Sequence, residues 1–225
     1  MPRREYQKSL DDLRADVRAL ADLVVSRLDQ SLDALEGGNR EAARAVIDGD
    51  DEINDRYLDL EADCIDLFAL QQPVASDLRF VAASFKICTD LERIGDLVAN
   101  LGQYALAADG TIAAVDLGTI GREAHAMVTD AITAYDTEDV AACRQIAARD
   151  DEIDALCQRA SERVVRDLIE RQATADGTPW DVERALDDVS RVLLTIRDLE
   201  RIADHAVNVT ARTLFLVESD PELIY

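Results

Sequence analysis

The sequence Asp-Leu-Glu-Arg-Ile-Gly-Asp at residues 90–96 occurs again as Asp-Leu-Glu-Arg-Ile-Ala-Asp at residues 198–204. The two copies differ at one position, where a glycine is replaced by an alanine. Each copy is followed four residues later by an asparagine, Asn100 in the first and Asn208 in the second. A polar stretch that recurs almost unchanged indicates an internal repeat.

A second pair of matching segments supports the repeat. Asp-Asp-Glu-Ile-Asn at residues 50–54 corresponds to Asp-Asp-Glu-Ile-Asp at residues 150–154, at an offset of 100 residues. The offset between the two longer copies is 108 residues, so the second half holds eight additional residues between its two elements. We expect these residues to form a longer loop at residues 173–179.

Apolar residues at every third or fourth position, interrupted by glycine and proline, predict six helices and no strand. We place the helices from about Leu13 to Gly37-Gly38, from Asn39 to the Gln71-Gln72-Pro73 break, from Ser76 to Ala108, from Asp116 to Tyr135, from Glu138 to Gln172 and from Thr178 to Glu218. The predicted fold is therefore all-α. It consists of two tandem three-helix repeats, residues 1–109 and 110–225, packed as a pseudo-twofold six-helix bundle.

The repeated segments also predict metal ligands. Glu92, Asp96 and Asn100 follow one another at i, i+4 and i+8, a spacing that aligns three side chains along one face of a helix. This face lies about 100° round from the apolar stripe, where a neighbouring helix would meet it. A single such acidic pair among 47 acidic residues is usually solvated surface, but the duplication favours a site. The candidate ligands are Asp50, Asn54, Glu92, Asp96 and Asn100 in the first repeat and Asp150, Asp154, Glu200, Asp204 and Asn208 in the second.

Oxygen ligands of this kind suit hard cations, and they also suit iron when carboxylates bridge several ions. We expect divalent or trivalent ions, Fe, Zn, Mn or Mg, as single ions or as clusters. The two histidines, His125 and His205, do not supply the Glu-x-x-His pairs of carboxylate-bridged di-iron bundles. A di-iron oxidase is therefore the weaker alternative. His205 directly follows Asp204, so we expect its side chain to point to solvent or to a helix contact.

Composition limits the partners. The chain carries 24 basic and 47 acidic residues, a formal net charge of −23. At about 1 M salt the screening length falls to about 3 Å, so such a surface is typical of a halophile's cytoplasmic protein. A basic patch for nucleic acid is absent from the sequence, and an anionic membrane would repel the chain. The sequence also contains no apolar run of about 18 residues that could span a bilayer, and its start does not resemble a leader peptide. Both features predict a cytoplasmic location.

The sequence gives little support for catalysis. Neither a glycine-rich phosphate loop nor a serine or cysteine beside a histidine is present. The cysteines lack Cys-x-x-Cys spacing and fall within predicted helices, where we expect reduced, apolar side chains. We therefore predict a protein that acts by binding another protein, not an enzyme.

At the repeated segments the chain resembles the PhoU family of phosphate-uptake regulators. The segment at residues 90–96 with its following Asn100 is similar to the family's metal-binding signature, and residues 72–79 are similar to the segment that leads into the third helix. The resemblance covers about residues 5–218 and implies two PhoU-like repeats, each with a multinuclear metal cluster. In the first repeat Asn54 replaces an acidic residue, which leaves that site with one negative charge fewer.

The resemblance also implies function and partners. PhoU proteins form cytoplasmic homodimers, restrain the Pst phosphate ABC transporter, and help to silence a phosphate-sensing histidine kinase. The expected partners are the transporter ATPase and such a kinase; an accessory role for a Pit-type phosphate carrier is an alternative. Arg93 and Arg201 follow the two glutamates. Either they form salt bridges with a neighbouring helix, or they contact a partner protein or phosphate.

Overall fold

A computed structural model describes residues 3–70, 75–108, 115–174 and 178–224. Within these residues the chain is helical and contains no strand. The helices are α1 (Arg3–Gly37), α2 (Arg40–Asp48), α3 (Asp50–Leu70), α4 (Ala75–Ala107), α5 (Leu117–Thr137), α6 (Val140–Ala147), α7 (Asp150–Thr174) and α8 (Pro179–Glu218). The predicted break at residues 71–73 and the predicted repeat boundary at residues 109 and 110 lie outside the described part of the chain.

Helix starts follow local capping signals. The side chain of Asn39 accepts hydrogen bonds from the backbone N–H groups of Glu41 and Ala42, both at 3.2 Å. Thr178 and Asp181 form a reciprocal capping box, with Pro179 as the first residue of α8. Such caps satisfy N–H groups that the helix itself leaves free, and each contributes about 1 kcal/mol. Helix α1 starts ten residues earlier than predicted, because Leu10 continues the buried stripe.

Two of the six predicted helices are each interrupted by a single turn. Helix α2 ends at Asp48 and α3 begins at Asp50, while α6 ends at Ala147 and α7 begins at Asp150. The apolar spacing continues across both junctions, so the sequence pattern does not reveal the interruption. Its consequence is that Asp50 and Asp150 become the first residues of new helices. A carboxylate is electrostatically favoured at that end.

The two junctions are stabilised by arginines that come from different elements. In the first half a Cβ atom on Gly49 would lie 2.8 Å from Cζ of Arg27, so the glycine leaves room for that guanidinium group. In the second half Arg149 stands in the junction itself. Its guanidinium group donates to Glu123 at 2.7 Å and to Asp130 at 2.7 Å. Each junction therefore contains one arginine, supplied by α1 in one repeat and by the junction in the other.

The eight additional residues of the second half lengthen helices instead of a loop. Helix α7 has 25 residues and α3 has 21. Helix α8 begins 21 residues before Glu200, whereas α4 begins 17 residues before Glu92. The prediction of a longer loop is therefore wrong for the described residues, because each helix gains about one turn. Residues 175–177 lie outside the described part.

Helices α4 and α8 form the centre of the bundle and make the most extensive interhelical contact. Helix α4 is surrounded by α1, α2 and α3, and α8 by α5, α6 and α7. One large apolar cluster extends through both halves. The predicted pseudo-twofold bundle of two three-helix repeats is confirmed, and the resulting geometry places α3 beside α4 and α7 beside α8.

The four cysteines are buried and free, as predicted. Burial raises the pKa of the Cys64 and Cys157 thiols to about 12 and that of Cys143 to about 11. These thiols therefore stay protonated at neutral pH and pack as small apolar groups. None of the described helices combines the length and hydropathy that a bilayer span requires.

Candidate metal sites

Three carboxylates of the second repeat converge between α7 and α8. One oxygen from each of Asp150, Asp154 and Asp204 lies within 4.8 Å of the other two. Asp150 begins α7, Asp154 follows one turn later, and Asp204 reaches them from α8. Oxygens at this separation can surround one hard cation, whose bonds to oxygen measure about 2.0–2.6 Å.

The electrostatics of this group are unfavourable without a cation. Burial, followed by the charges of Asp154 and Asp204, raises the pKa of Asp150 to about 6. The pKa of Glu200 is raised by burial and then by the same two neighbours. Burial and Asp154 also raise the pKa of Asp204, against the opposing effects of His205 and Arg201. Bound positive charge would relieve this repulsion.

A buried oxygen without a hydrogen-bond partner occurs at the same position in both repeats. Oδ1 of Asp50 and Oδ1 of Asp150 are both buried and have no hydrogen-bond partner among the described residues. An unsatisfied buried acceptor costs about 1–3 kcal/mol, so each such oxygen calls for an explanation. Coordination of a cation would satisfy both oxygens. The residues present therefore fit a metal ion.

The equivalent residues of the first repeat lie on α3 and α4, but among the described residues only the second repeat brings three carboxylates within 4.8 Å of one another. Burial and then the charge of Asp96 raise the pKa of Asp50. The pKa of Glu92 is raised by burial and by Asp96, opposed by Arg93, and raised again by Asp50. These three carboxylates are thus close enough to influence one another. Nδ2 of Asn54 donates a hydrogen bond to Oδ2 of Asp50 at 3.2 Å, so the amide occupies one carboxylate oxygen of this site.

The two asparagines of the predicted ladders have different surroundings. Nδ2 of Asn208 donates to Oδ1 of Asp90 at 3.2 Å, across the contact between α8 and α4. Its amide nitrogen is therefore directed to Asp90 on the other half of the chain. Asn100, at the equivalent place on α4, is half-buried. The ligand role of both asparagines stays a prediction.

The histidine and arginine predictions have separate outcomes. His205 makes a helix contact, one of its two expected positions, because its Nδ1 lies 2.9 Å from Oδ1 of Asp90. Arg93 approaches Glu92 at 3.5 Å and Asp96 at 3.8 Å. Both partners lie on its own helix, so the predicted salt bridge to a neighbouring helix is wrong for Arg93. Arg201 is exposed.

The first aspartate of each repeated segment joins the two halves, a role that we did not assign from the sequence. Asp90 accepts from Asn208 and contacts His205 on α8. Asp198 is fully buried and accepts a hydrogen bond from the Tyr104 hydroxyl on α4 at 2.9 Å. The only available signal was that both aspartates belong to the repeated segment. Because they lie two residues before Glu92 and Glu200 along the chain, the interhelical contact is built into the same segments as the candidate metal sites.

Comparison with known proteins gives the same repeat. The PhoU domain matches the chain twice, at residues 17–105 and 117–213. A protein of Streptococcus pneumoniae serotype 4, named phosphate-specific transport system accessory protein PhoU homolog, is 30% identical over 217 residues, which are 95% of each chain. A Pseudomonas aeruginosa protein of the same name is 28% identical over 217 residues, 95% of this chain and 85% of its own. Both names describe accessory proteins and not enzymes.

Solved structures agree in fold. The crystal structure of PhoU from Pseudomonas aeruginosa matches with a TM-score of 0.83 and 27% identity, over 96% of this chain and 100% of that one. The phosphate transport system regulatory protein PhoU from Streptococcus pneumoniae also gives a TM-score of 0.83 and 27% identity, over 96% of this chain and 98% of its own. The chain belongs to the PhoU family.

Proposed function

We propose that this protein is a metal-binding accessory protein of the phosphate-specific transport system, and that it restrains phosphate uptake when phosphate is plentiful. The observation that carries the proposal is the double PhoU domain, together with relatives that share nearly the whole chain and are named as accessory proteins of that system. Phosphate transport is thus the process to which the proposal assigns the chain.

The metal part of the proposal rests on the two carboxylate groups. Asp150, Asp154 and Asp204 would hold a cation between α7 and α8, with Glu200 beside them. Asp50, Glu92 and Asp96 would do the same between α3 and α4. A bound Mg, Mn, Fe or Zn ion would supply the positive charge that these residues lack. Binding of the ion would couple α3 to α4 and α7 to α8. It would thereby fix the shape of the protein surface formed by these helices.

The chain is proposed to act in the cytoplasm, as a homodimer, through contact with the ATPase of the Pst transporter. A phosphate-sensing histidine kinase is a further proposed partner. The reasons are the accessory role named for the relatives and the absence of a membrane-spanning helix in the described residues.

A complementation experiment tests the proposal. Deletion of the gene should raise phosphate uptake and polyphosphate in phosphate-rich medium, and the wild-type gene should restore the normal level. A variant with Glu200→Ala and Asp204→Ala should fail to restore it. The matched control is Glu183→Ala with Asp187→Ala, an exposed pair with the same spacing on the same helix, which should restore it fully.

Capture of the Pst ATPase from phosphate-replete cells by the tagged wild-type chain gives an independent readout of contact. The Glu200 and Asp204 variant should capture less of it than the Glu183 and Asp187 control. Unchanged phosphate uptake in the deletion strain, with no transporter subunit captured, would contradict the proposed role.

A further inference from the structure

Two equivalent surface segments of the repeats carry opposite charge. Residues 59–66 of α3 and residues 159–166 of α7 are related by the repeat offset of 100 residues. At three equivalent positions an aspartate of the first repeat is replaced by an arginine in the second: Asp59 by Arg159, Asp63 by Arg163, and Asp66 by Arg166. Over all eight residues the first segment has a charge of −4 and the second +2. In a chain with a net charge of −23, the α7 segment is a local exception.

Each triad lies on one face of its helix. The spacing of four and then three residues aligns the side chains along the helix, so we call residues 59, 63 and 66 the acidic stripe and residues 159, 163 and 166 the basic stripe. All six side chains are exposed. None of them forms a salt bridge with another described residue. The charges are therefore available to an outside partner.

The two stripes cannot neutralise each other within one chain. Helix α3 packs on α4 and α1, whereas α7 packs on α8 and α5, and α3 makes no extensive contact with α7. The acidic stripe is also under internal repulsion. The pKa of Asp63 is raised by partial desolvation and then by the carboxylates of Asp16 on α1, Asp59 and Asp66. Positive charge from outside the chain would relieve this repulsion.

Exposed apolar side chains accompany both stripes. On α3, Ile65 is 54% exposed and Phe68 is 37% exposed. On α7, Val165 is 43% exposed and Ile169 is 63% exposed. Apolar contacts supply most of the affinity at such surfaces, while complementary charges determine which surfaces pair and in what register. Each helix thus presents both components of an interface.

We propose that the acidic stripe on α3 of one chain binds the basic stripe on α7 of a second copy. In a twofold dimer the contact is made twice, because the symmetry axis pairs α3 of each chain with α7 of the other. The inference deepens the homodimer of the proposed function. It is independent of the role in phosphate transport, because self-association is measured on the purified chain alone.

Charge reversal tests the pairing. At about 0.1 M salt, where the screening length is about 10 Å, light scattering after gel filtration should show a wild-type dimer. The variant Arg159→Asp, Arg163→Asp, Arg166→Asp should weaken self-association by about tenfold or more. The variant Asp59→Arg, Asp63→Arg, Asp66→Arg should do the same. An equimolar mixture of the two variants should recover the dimer, since each stripe again meets its opposite.

Two controls separate this contact from general charge effects and from misfolding. Replacement of three exposed basic residues elsewhere, Arg4, Arg44 and Lys86, by aspartate should leave the dimer intact. Helical circular dichroism should match the wild type for every variant. A monomeric wild-type chain at about 100 μM would overturn the inference. Folded reversal variants that stay dimeric, or a mixture that stays monomeric, would overturn it as well.

Discussion

Oδ1 of Asp50 and Oδ1 of Asp150 occupy the same position of the two repeats, and both are buried with no hydrogen-bond partner in the part of the chain that the structure describes. Each aspartate is the first residue of a helix that follows a one-turn interruption. Each of these helix starts lies close to a carboxylate of the helix beside it, Asp50 to Asp96 on α4 and Asp150 to Asp204 on α8. An unsatisfied acceptor that occurs twice at equivalent positions is the feature that a bound cation accounts for most directly.

Stability of the metal-free chain should fall as pH rises from about 4 to about 6. The pKa of Asp150 is raised from 3.8 to about 6 in the folded state, so between these values the folded chain binds more protons than the unfolded chain. Rising pH then favours unfolding, and the loss is complete above the folded pKa. The variant Asp150→Asn stays neutral, so it should be more stable than the wild type at pH 7.5 and equally stable near pH 3.5.

Urea unfolding after treatment with a chelator measures this difference. The control is Asp151→Asn, an exposed neighbour in the same helical turn, which should not change the pH dependence to the same extent. If Asp150→Asn increased the free energy of unfolding equally at both pH values, the pKa of Asp150 in the folded state would not be raised, contrary to the prediction.

The second site should bind a divalent cation more tightly than the first. Asp154 supplies a carboxylate where the first repeat has Asn54, and the Asn54 amide already donates to Asp50. Removing one charged ligand usually weakens a hard-cation site by about tenfold or more. Calorimetric titration with Mn²⁺ should therefore resolve two affinities. Asn54→Asp should strengthen the weaker site, and Asp154→Asn should weaken the stronger one; two equal affinities in the wild type would contradict this asymmetry.

The hydrogen bond between Tyr104 and Asp198 should contribute measurably to stability. Asp198 is fully buried at the contact of α4 with α8, and its carboxylate accepts the tyrosine hydroxyl at 2.9 Å. Tyr104→Phe leaves a buried charged acceptor with one partner fewer, so we expect a loss of about 2 kcal/mol in the free energy of unfolding. Tyr57→Phe is the matched control, because the described part of the chain gives the Tyr57 hydroxyl no hydrogen bond. If both replacements lowered the free energy of unfolding equally, the hydrogen bond between Tyr104 and Asp198 would not have the stabilising role assigned to it.

Salt should stabilise the fold. At −23 the surface carboxylates repel one another, and the repulsion is screened as the ionic strength rises. The melting temperature should therefore increase between about 0.2 and 3 M KCl at pH 7.5. Near the isoelectric point, about 4.3, the increase should be much smaller because the net charge is close to zero. The relatives named above do not support the halophile expectation, so this measurement tests it; an unchanged or lower melting temperature would contradict it.

Local signals and the repeat allowed much of the fold to be predicted. The caps at Asn39 and Thr178 act within one helical turn, and the six-helix pattern follows from them and from apolar spacing. The interruption at Gly49 was not predictable in this way, because the apolar stripe continues from Val46 to Ile53 on both sides of it. The glycine there leaves space for the guanidinium group of Arg27 on a different helix, a neighbour that no local pattern records.

The candidate metal sites were likewise predictable in part from sequence patterns and in part not, because some features depend on tertiary packing. Repetition identified the acidic residues, and the structure brings Asp150, Asp154 and Asp204 together as expected for neighbouring antiparallel helices. The direction of the Asn208 amide toward Asp90 depends on how α8 crosses α4. That crossing is set by packing of the whole bundle. Spacing along one helix could not predict it.

Elemental analysis of the purified chain tests the central claim most directly. Protein prepared without chelator and dialysed against buffer should retain more than one equivalent of Fe, Zn, Mn or Mg per chain. Glu92→Ala with Asp96→Ala should empty one site, Glu200→Ala with Asp204→Ala should empty the other, and the control pair Glu183→Ala with Asp187→Ala should retain the full content. A wild-type chain that holds no metal ion, or site variants with the same content as the control, would contradict the claim that the repeated carboxylates are metal sites.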